Sequence, residues 1–126
     1  MPLTAFDHVN IRTSKLDEMV AFYGEILGLH PGWRPNFRVG GAWLYLGDQP
    51  YIHLVDIDYQ PATTPNLTLE HFSFRATGMK DFTNSLDARD IPYSVDPVPG
   101  ITIVQVNFHD PDGNHIHVDF DLADEA

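Results

Sequence analysis

One stretch near the end of the chain predicts a turn followed by a strand that carries histidines, and the rest of the predicted fold follows from it. Its sequence is Asp110-Pro111-Asp112-Gly113-Asn114-His115-Ile116-His117-Val118-Asp119-Phe120. Its first four residues are typical of a tight turn, because proline presets φ and glycine accepts a positive φ without a Cβ clash. The residues after the turn alternate strictly between apolar and polar. One face of the predicted strand carries Ile116, Val118 and Phe120, and the other carries His115, His117 and Asp119. We therefore predict a half-buried strand with imidazoles on its polar face.

A similar phrase occurs earlier in the chain, as Ile52-His53-Leu54-Val55-Asp56, and it indicates an internal repeat. At an offset of 63 residues Asp7-His8-Val9 aligns with Glu70-His71-Phe72, and at an offset of 64 residues His53 aligns with His117. We expect one domain of two βαβββ modules, residues 4–57 and 67–120, with a linker at 58–66. The predicted fold is α+β, a curved mixed sheet around a cleft.

The element boundaries follow from periodicity and from turn residues. The first module is predicted to contain strands at 6–12, 31–39, 42–46 and 51–57, and the second contains strands at 67–75, 91–95, 101–108 and 115–120. Between the first two strands of each module lies a helix. The first helix is expected to begin at the N-cap Ser14 and to end at Gly28, and the second to run from Thr77 or Gly78 to about Arg89.

Composition excludes several functional classes. The 126 residues are 43% hydrophobic, which is typical of a globular domain, and they include no cysteine, so thiolate zinc sites and cysteine nucleophiles are excluded. A net charge of −11 with only 7 basic residues argues against nucleic acid as a partner. We expect no signal peptide, no membrane span and a cytoplasmic location.

Four of the seven histidines occupy two repeat-equivalent pairs, His8 with His71 and His53 with His117. Apolar neighbours of each histidine point to the face that a helix covers, so the imidazoles point to the other face. The polar and aromatic residues predicted to share that face are Asn10, Trp43, Tyr45, Tyr51, Ser73, Gln105, Asn107 and Asp119. Such a face predicts a binding cleft. His30, His109 and His115 are expected in loops or at its rim, and Arg34 and Arg38 either bind a substrate carboxylate or phosphate or are simply exposed.

Two segments resemble a known family. Asp7-His8-Val9-Asn10-Ile11 and the helical Ala21-Phe22-Tyr23-Gly24-Glu25-Ile26-Leu27-Gly28-Leu29 resemble the opening of the vicinal oxygen chelate superfamily, and the Asp110-Pro111-Asp112-Gly113 turn is also similar. That superfamily includes glyoxalase I, fosfomycin and bleomycin resistance proteins and extradiol dioxygenases. The resemblance implies a homodimer and a divalent metal ion, one of Zn, Fe, Ni, Co or Mn. The implied ligand positions are His8, His53, His71 and His117.

The resemblance implies three functions. The first is a metal-dependent lyase or isomerase that acts on a small oxygenated metabolite, with the metal as Lewis acid. In this function a displaced histidine, Tyr45 or Tyr51 moves the proton. The others are an Fe(II) dioxygenase and a metal-free binding or resistance protein. His53 and His117 stand where glyoxalase I has glutamates, which argues against glyoxalase I chemistry. Asp119 or Asp56 is expected to orient a ligand imidazole. The predicted substrate-binding residues are Asn10, Trp43, Ser73, Gln105, Asn107 and Asp119.

Overall fold

The structure, a computed structural model, describes residues 2–62 and 67–125. The chain divides into two compact units, Met1–Ala62 and Thr63–Ala126. The division falls in the predicted linker at 58–66, of which residues 63–66 lie outside the described residues. None of the helices in the described ranges is long and apolar enough to cross a membrane.

Each unit has the predicted order of one strand, one helix and three strands. The first unit contains β1 (Val9–Thr13), α1 (Leu16–Leu27), β2 (His30–Pro31), β3 (Gly41–Leu46) and β4 (Gln49–Asp56). The second contains β5 (Phe72–Arg75), α2 (Met79–Ala88), β6 (Ser94–Pro97), β7 (Ile103–His109) and β8 (His115–Asp121), followed by a short 3₁₀ helix at Leu122–Asp124. The predicted α+β fold of two βαβββ modules is confirmed.

The two units have equivalent mixed sheets of four strands. Their strand orders are β1-β4-β3-β2 and β5-β8-β7-β6. The first and last strands of each unit pair in parallel, with Val9 opposite Ile52 in one unit and Phe72 opposite Ile116 in the other. The two units therefore pair their first and last strands at the positions that the sequence repeat aligns. His8 and His71 directly precede β1 and β5, and His53 and His117 lie on β4 and β8, so the histidines occupy equivalent positions in the two units.

Each helix covers the apolar face of its own unit. Helix α1 buries Met19, Tyr23 and Ile26, and it ends at Gly28 as predicted, with φ at 69°. The Gly28 N–H donates to the Gly24 carbonyl at 3.2 Å, which is the bond of an αL stop, and the Leu29 N–H donates to the Tyr23 carbonyl at 2.9 Å. In the second unit the ring of Phe82 on α2 lies 5.7 Å from those of Phe108 and Phe120. The opposite face of each sheet is thereby left to the histidines.

The turn at Asp110–Asn114 is built as its sequence predicts. Gly113 has φ at 86°, and one Asp110 carboxylate oxygen accepts from the N–H groups of Asp112 and Asn114, both at 3.0 Å. The Asn114 side-chain amide donates to the other Asp110 oxygen at 2.9 Å. Because the Asp110 carboxylate accepts hydrogen bonds from these backbone N–H groups, it fixes the turn and thereby the register in which β8 starts at His115.

Several predicted boundaries were wrong. The strand expected at 31–39 is limited to His30–Pro31, because Pro35 has no N–H to donate and the chain leaves the sheet as a loop. Ser14 is not the cap of α1; the cap position is Lys15, whose N–H donates to the Thr13 hydroxyl at 2.9 Å. The strands predicted at 6–12, 67–75 and 91–95 are shorter or shifted, because their pairing is confined to Val9–Thr13, Phe72–Arg75 and Ser94–Pro97.

Candidate functional site

In the first unit His53 lies between two other rings. His53 on β4 is opposite Asn10 on β1 and Trp43 on β3, so all three share one face of the sheet. The His8 ring stacks on the His53 ring with centroids 3.7 Å apart and planes 7° apart. The Trp43 ring covers the other side at 4.0 Å and 14°. His8, His53 and Trp43, which the sequence predicts on one face of the sheet, are therefore in direct contact.

His53 has the chemistry of a neutral ligand. Burial is the main cause that lowers its pKa, and the neighbouring His8 lowers it further, while a hydrogen bond with the Pro50 carbonyl acts in the opposite direction. The side-chain Nε2 is buried and has no hydrogen-bond partner among the described residues, which leaves Nδ1 as the donor to Pro50. A neutral imidazole that donates from Nδ1 presents a bare lone pair on Nε2.

His8 is held from its Nδ1 as well. This atom lies 2.6 Å from a carboxylate oxygen of Asp7, and the hydrogen bond with His8 is the main cause that lowers the pKa of Asp7. The Asp7 carbonyl accepts from the Gln49 side-chain amide at 2.8 Å, which fixes the segment ahead of β1. His8 thus presents Nε2, with its ring orientation set by a neighbouring carboxylate.

The second unit repeats this arrangement with different acids. His71 Nδ1 lies 2.6 Å from Glu70, and His117 Nδ1 is hydrogen-bonded to Asp119. The rings of His71 and His117 have centroids 4.4 Å apart. His117 is buried, whereas His71 is exposed. Asp119 therefore has the orienting contact predicted for it, while Asp56 lies beside Gly40.

Sequence reasoning left His115 and Glu70 out of the predicted site. His115 was expected in a loop or at the rim, but it is the first residue of β8 and shares the polar face of His117. Its Nδ1 lies 2.8 Å from Glu70, and its Nε2 lies 2.7 Å from the side-chain oxygen of Asn107. Alternation along the final strand already placed His115 on this face, but it gave no reason to assign His115 to the site. Its contact with Glu70 joins residues 45 apart and has no local signature.

Glu70, His71 and His115 form a group whose ligand atoms all lie within 4.8 Å of one another. Two atoms bound to one ion at about 2.0–2.1 Å would be separated by about 2.9–3.4 Å. The Glu70–His71 separation of 2.6 Å is shorter, and it is that of a charge-assisted hydrogen bond. Hydrogen bonds with His115 and then His71 also lower the pKa of Glu70. In this arrangement Glu70 orients two imidazoles.

The predicted substrate-binding residues occupy the histidine-bearing faces. Asn10 and Trp43 lie opposite His53; Ser73 and Asn107 lie opposite His117; Gln105 lies opposite Asp119. Two of these side chains already have internal partners, since Asn107 bonds Asp96 and His115, and Asp119 bonds His117.

The two predicted catalytic tyrosines differ in their surroundings. The Tyr45 hydroxyl donates to the Trp33 carbonyl at 2.6 Å, so it anchors a loop. Tyr51 lies two residues before His53 on β4, opposite the register shift between Leu44 and Leu46, where the regular alternation of the strand is interrupted.

Comparisons with known proteins agree on a single family. The family model described as "Glyoxalase/Bleomycin resistance protein/Dioxygenase superfamily" matches residues 5–118. The chain is 33% identical over 124 residues to a protein of Arabidopsis thaliana named "Glyoxylase I 4", a match that covers 92% of this chain and 70% of that protein. A glyoxalase family protein from Bacillus anthracis is 25% identical, with a TM-score of 0.77 over 96% of this chain and 98% of that one. The fold also matches the fosfomycin resistance protein FosX from Listeria monocytogenes, at 14% identity and a TM-score of 0.74 over 94% of each chain.

Proposed function

Since the chain belongs to the Glyoxalase/Bleomycin resistance protein/Dioxygenase superfamily, we propose that it is a metal-dependent enzyme that acts on a small oxygenated metabolite. The reaction is of the lyase or isomerase type. One observation carries the proposal, namely that three of the four histidines at the implied ligand positions are bonded through Nδ1 to a carboxylate, while His53 has a backbone carbonyl as its acceptor and a buried Nε2 without a partner among the described residues. The acceptors are Asp7, the Pro50 carbonyl, Glu70 and Asp119.

This shared pattern favours metal ligands over ordinary pocket histidines. A ligating histidine usually donates its other ring N–H to a carboxylate or carbonyl, which fixes the tautomer and raises the basicity of the ligand nitrogen. The buried Nε2 of His53, without a protein partner in the described ranges, is suited to an ion as its missing partner. Within each unit, the two histidines that would contribute ligands are His8 with His53 and His71 with His117. That all four bind one ion stays a prediction.

The residues around the histidines have separable roles. A bound divalent metal would polarise a substrate oxygen and stabilise an oxyanion or enolate. Trp43 closes one side of the His53 ring and excludes water there. Because the Tyr45 hydroxyl is occupied by the Trp33 carbonyl, we assign proton transfer to Tyr51. With imidazole at positions 53 and 117, no carboxylate in the implied ligand set serves as base, so a non-ligand group must move the proton.

A second candidate is an Fe(II) dioxygenase, and one observation favours it. Glu70, His71 and His115 supply two imidazoles and a carboxylate, the donor set of many non-haem iron oxygenases. The short hydrogen bonds that Glu70 makes argue for an orienting role in the apoprotein. Oxygen consumption that depends on Fe(II), and that Zn(II) does not support, would favour this candidate over the lyase or isomerase.

The test is a calorimetric titration of chelator-treated protein with Zn(II), Ni(II), Co(II), Mn(II) and, under anaerobic conditions, Fe(II). We expect uptake of at least one ion, a loss of about 100-fold or more in affinity in His53→Gln and in His117→Gln, and no change in His30→Gln. His30 is the matched control because it is an exposed histidine on β2. Absence of uptake of any ion, including Fe(II), would overturn the metal-dependent proposal and favour the metal-free binding protein. Sedimentation of the same samples tests the homodimer that the resemblance implies.

A further inference from the structure

The loop between β2 and β3, residues 32–40, is held firmly at both ends. The Gly32 N–H donates to the Trp43 carbonyl at 3.1 Å, and the Gly40 carbonyl accepts from the Asp56 N–H at 2.9 Å. Near its start the Trp33 carbonyl accepts the Tyr45 hydroxyl. A loop tied at these points can hold its side chains in fixed positions, as a recognition loop requires.

Two large aromatic side chains of this loop are open to solvent. Trp33 is 72% exposed and Phe37 is 49% exposed. Both approach Trp43, the first edge-on at 6.0 Å and 85°, the second tilted at 6.2 Å and 47°. Since Trp43 itself stacks on His53, the rings extend from the loop to the candidate metal ligand. Contiguous exposed aromatic surface of this kind marks a site for a ligand.

The same loop carries a cation that lacks a carboxylate partner within the described ranges. The Arg34 guanidinium carbon lies 4.8 Å from the Phe37 ring centroid, and one terminal nitrogen donates to the Val39 carbonyl at 2.9 Å. Its Nε is buried and makes no hydrogen bond in the described structure. A guanidinium has five donors, so most of its capacity is unused. This occurs in a chain with 18 acidic residues against 7 basic ones, where an acidic neighbour would be the ordinary outcome.

We propose that Arg34, Trp33, Phe37 and Trp43 form the recognition site for a planar carboxylate, with the carboxylate on Arg34 and the planar group against the aromatic rings. A guanidinium binds a carboxylate with two parallel hydrogen bonds, and aromatic rings favour a flat partner over a puckered one. As the substrate site of the enzyme this inference rests on the proposed function, but binding itself requires no metal.

The test uses the metal-free full chain and three probes. Benzoate is planar and anionic, benzamide is its neutral counterpart, and cyclohexanecarboxylate is anionic but puckered. Binding is measured by calorimetry and by quenching of the chain's two tryptophans, Trp33 and Trp43. We expect benzoate to bind about tenfold or more tightly than either other probe. Equal binding of benzoate and benzamide, or no binding of benzoate, would overturn the inference.

Variants separate recognition from general electrostatics. Arg34→Met should weaken benzoate binding by about tenfold or more and leave benzamide unchanged. Arg38→Met is the matched control, because Arg38 is an exposed arginine of the same loop, and it should change benzoate binding by less than about twofold. Trp33→Leu should remove the preference for benzoate over cyclohexanecarboxylate. Equal effects of the two arginine variants would contradict the site.

The outcome is independent of the metal experiment. Failure of benzoate binding in a chain that takes up metal overturns this inference alone. Benzoate binding in a chain that takes up no metal overturns the proposed enzyme and leaves the recognition site in place.

Discussion

The imidazole rings of His8 and His53 lie face to face, 3.7 Å apart and within 7° of parallel. Two protonated rings could not be stacked this closely without strong repulsion, and His53 is also buried. The stack therefore requires His53 to be neutral, which is also the form that binds a metal ion.

Acidification should destabilise the protein through His53. Its pKa is lowered from 6.5 by burial and then by His8, so the unfolded state binds the proton more readily. This contribution to the free energy of unfolding is complete above about pH 6.5 and decreases as the pH falls below it. Denaturant unfolding at about pH 7.5 and pH 5.5 should show a smaller loss in His53→Gln than in wild type. His30→Gln should behave as wild type; parallel losses in all three proteins would contradict the account.

Removing an orienting carboxylate should weaken metal binding without abolishing it. Asp119→Asn takes away the negative charge that holds His117 Nδ1, and metal affinity should fall by about 10–100-fold. Asp121→Asn is the matched control on the same strand, because Asp121 bonds the Thr102 hydroxyl and the Ala123 N–H. Unchanged affinity in Asp119→Asn, measured by calorimetry, would remove Asp119 from the site.

Glu70→Gln tests whether Glu70 orients imidazoles or binds metal itself. Because its carboxylate hydrogen-bonds both His71 and His115, we expect a loss of about tenfold in metal affinity. The measurement is the same metal titration. Complete loss of metal binding would identify Glu70 as a ligand and support the iron-oxygenase donor set.

Gly41 allows β3 and β4 to approach closely. A Cβ at this position would lie 2.1 Å from the Leu54 carbonyl oxygen, whereas one at Gly40 would meet its nearest neighbours at 3.5 Å. Gly41→Ala should therefore cost about 1–3 kcal/mol of unfolding free energy, and Gly40→Ala within about 0.5 kcal/mol. Because β3 carries Trp43, Gly41→Ala should also change tryptophan emission. Equal stability of the two variants would show that the approach is not tight.

Three features of the fold could be predicted, because each depends on residues that are close together in the sequence. They are the strand that follows the Asp110–Asn114 turn, the element order of both units, and the end of the helix at Gly28. The Nδ1 partners of three histidines could also have been predicted from the sequence, because Asp7 and Glu70 are adjacent to their histidines and Asp119 is two residues from His117. What could not be predicted depends on tertiary contact. The loop at 32–40 replaced a predicted strand, and the contact between Glu70 and His115 follows from where the start of β8 lies relative to the segment before β5.

The central claim is that these histidines bind a divalent ion through Nε2 while Nδ1 keeps its proton and its oxygen acceptor. Long-range ¹H–¹⁵N correlation of the imidazoles, recorded on the metal-free protein and after addition of Zn(II), measures this directly. We predict a protonated Nδ1 for His53 and His117 before and after addition, with the Nε2 resonances of both shifting on binding. Nε2 resonances that do not respond to Zn(II) or to any other diamagnetic divalent ion, or protonation on Nε2 in the metal-free protein, would contradict the account.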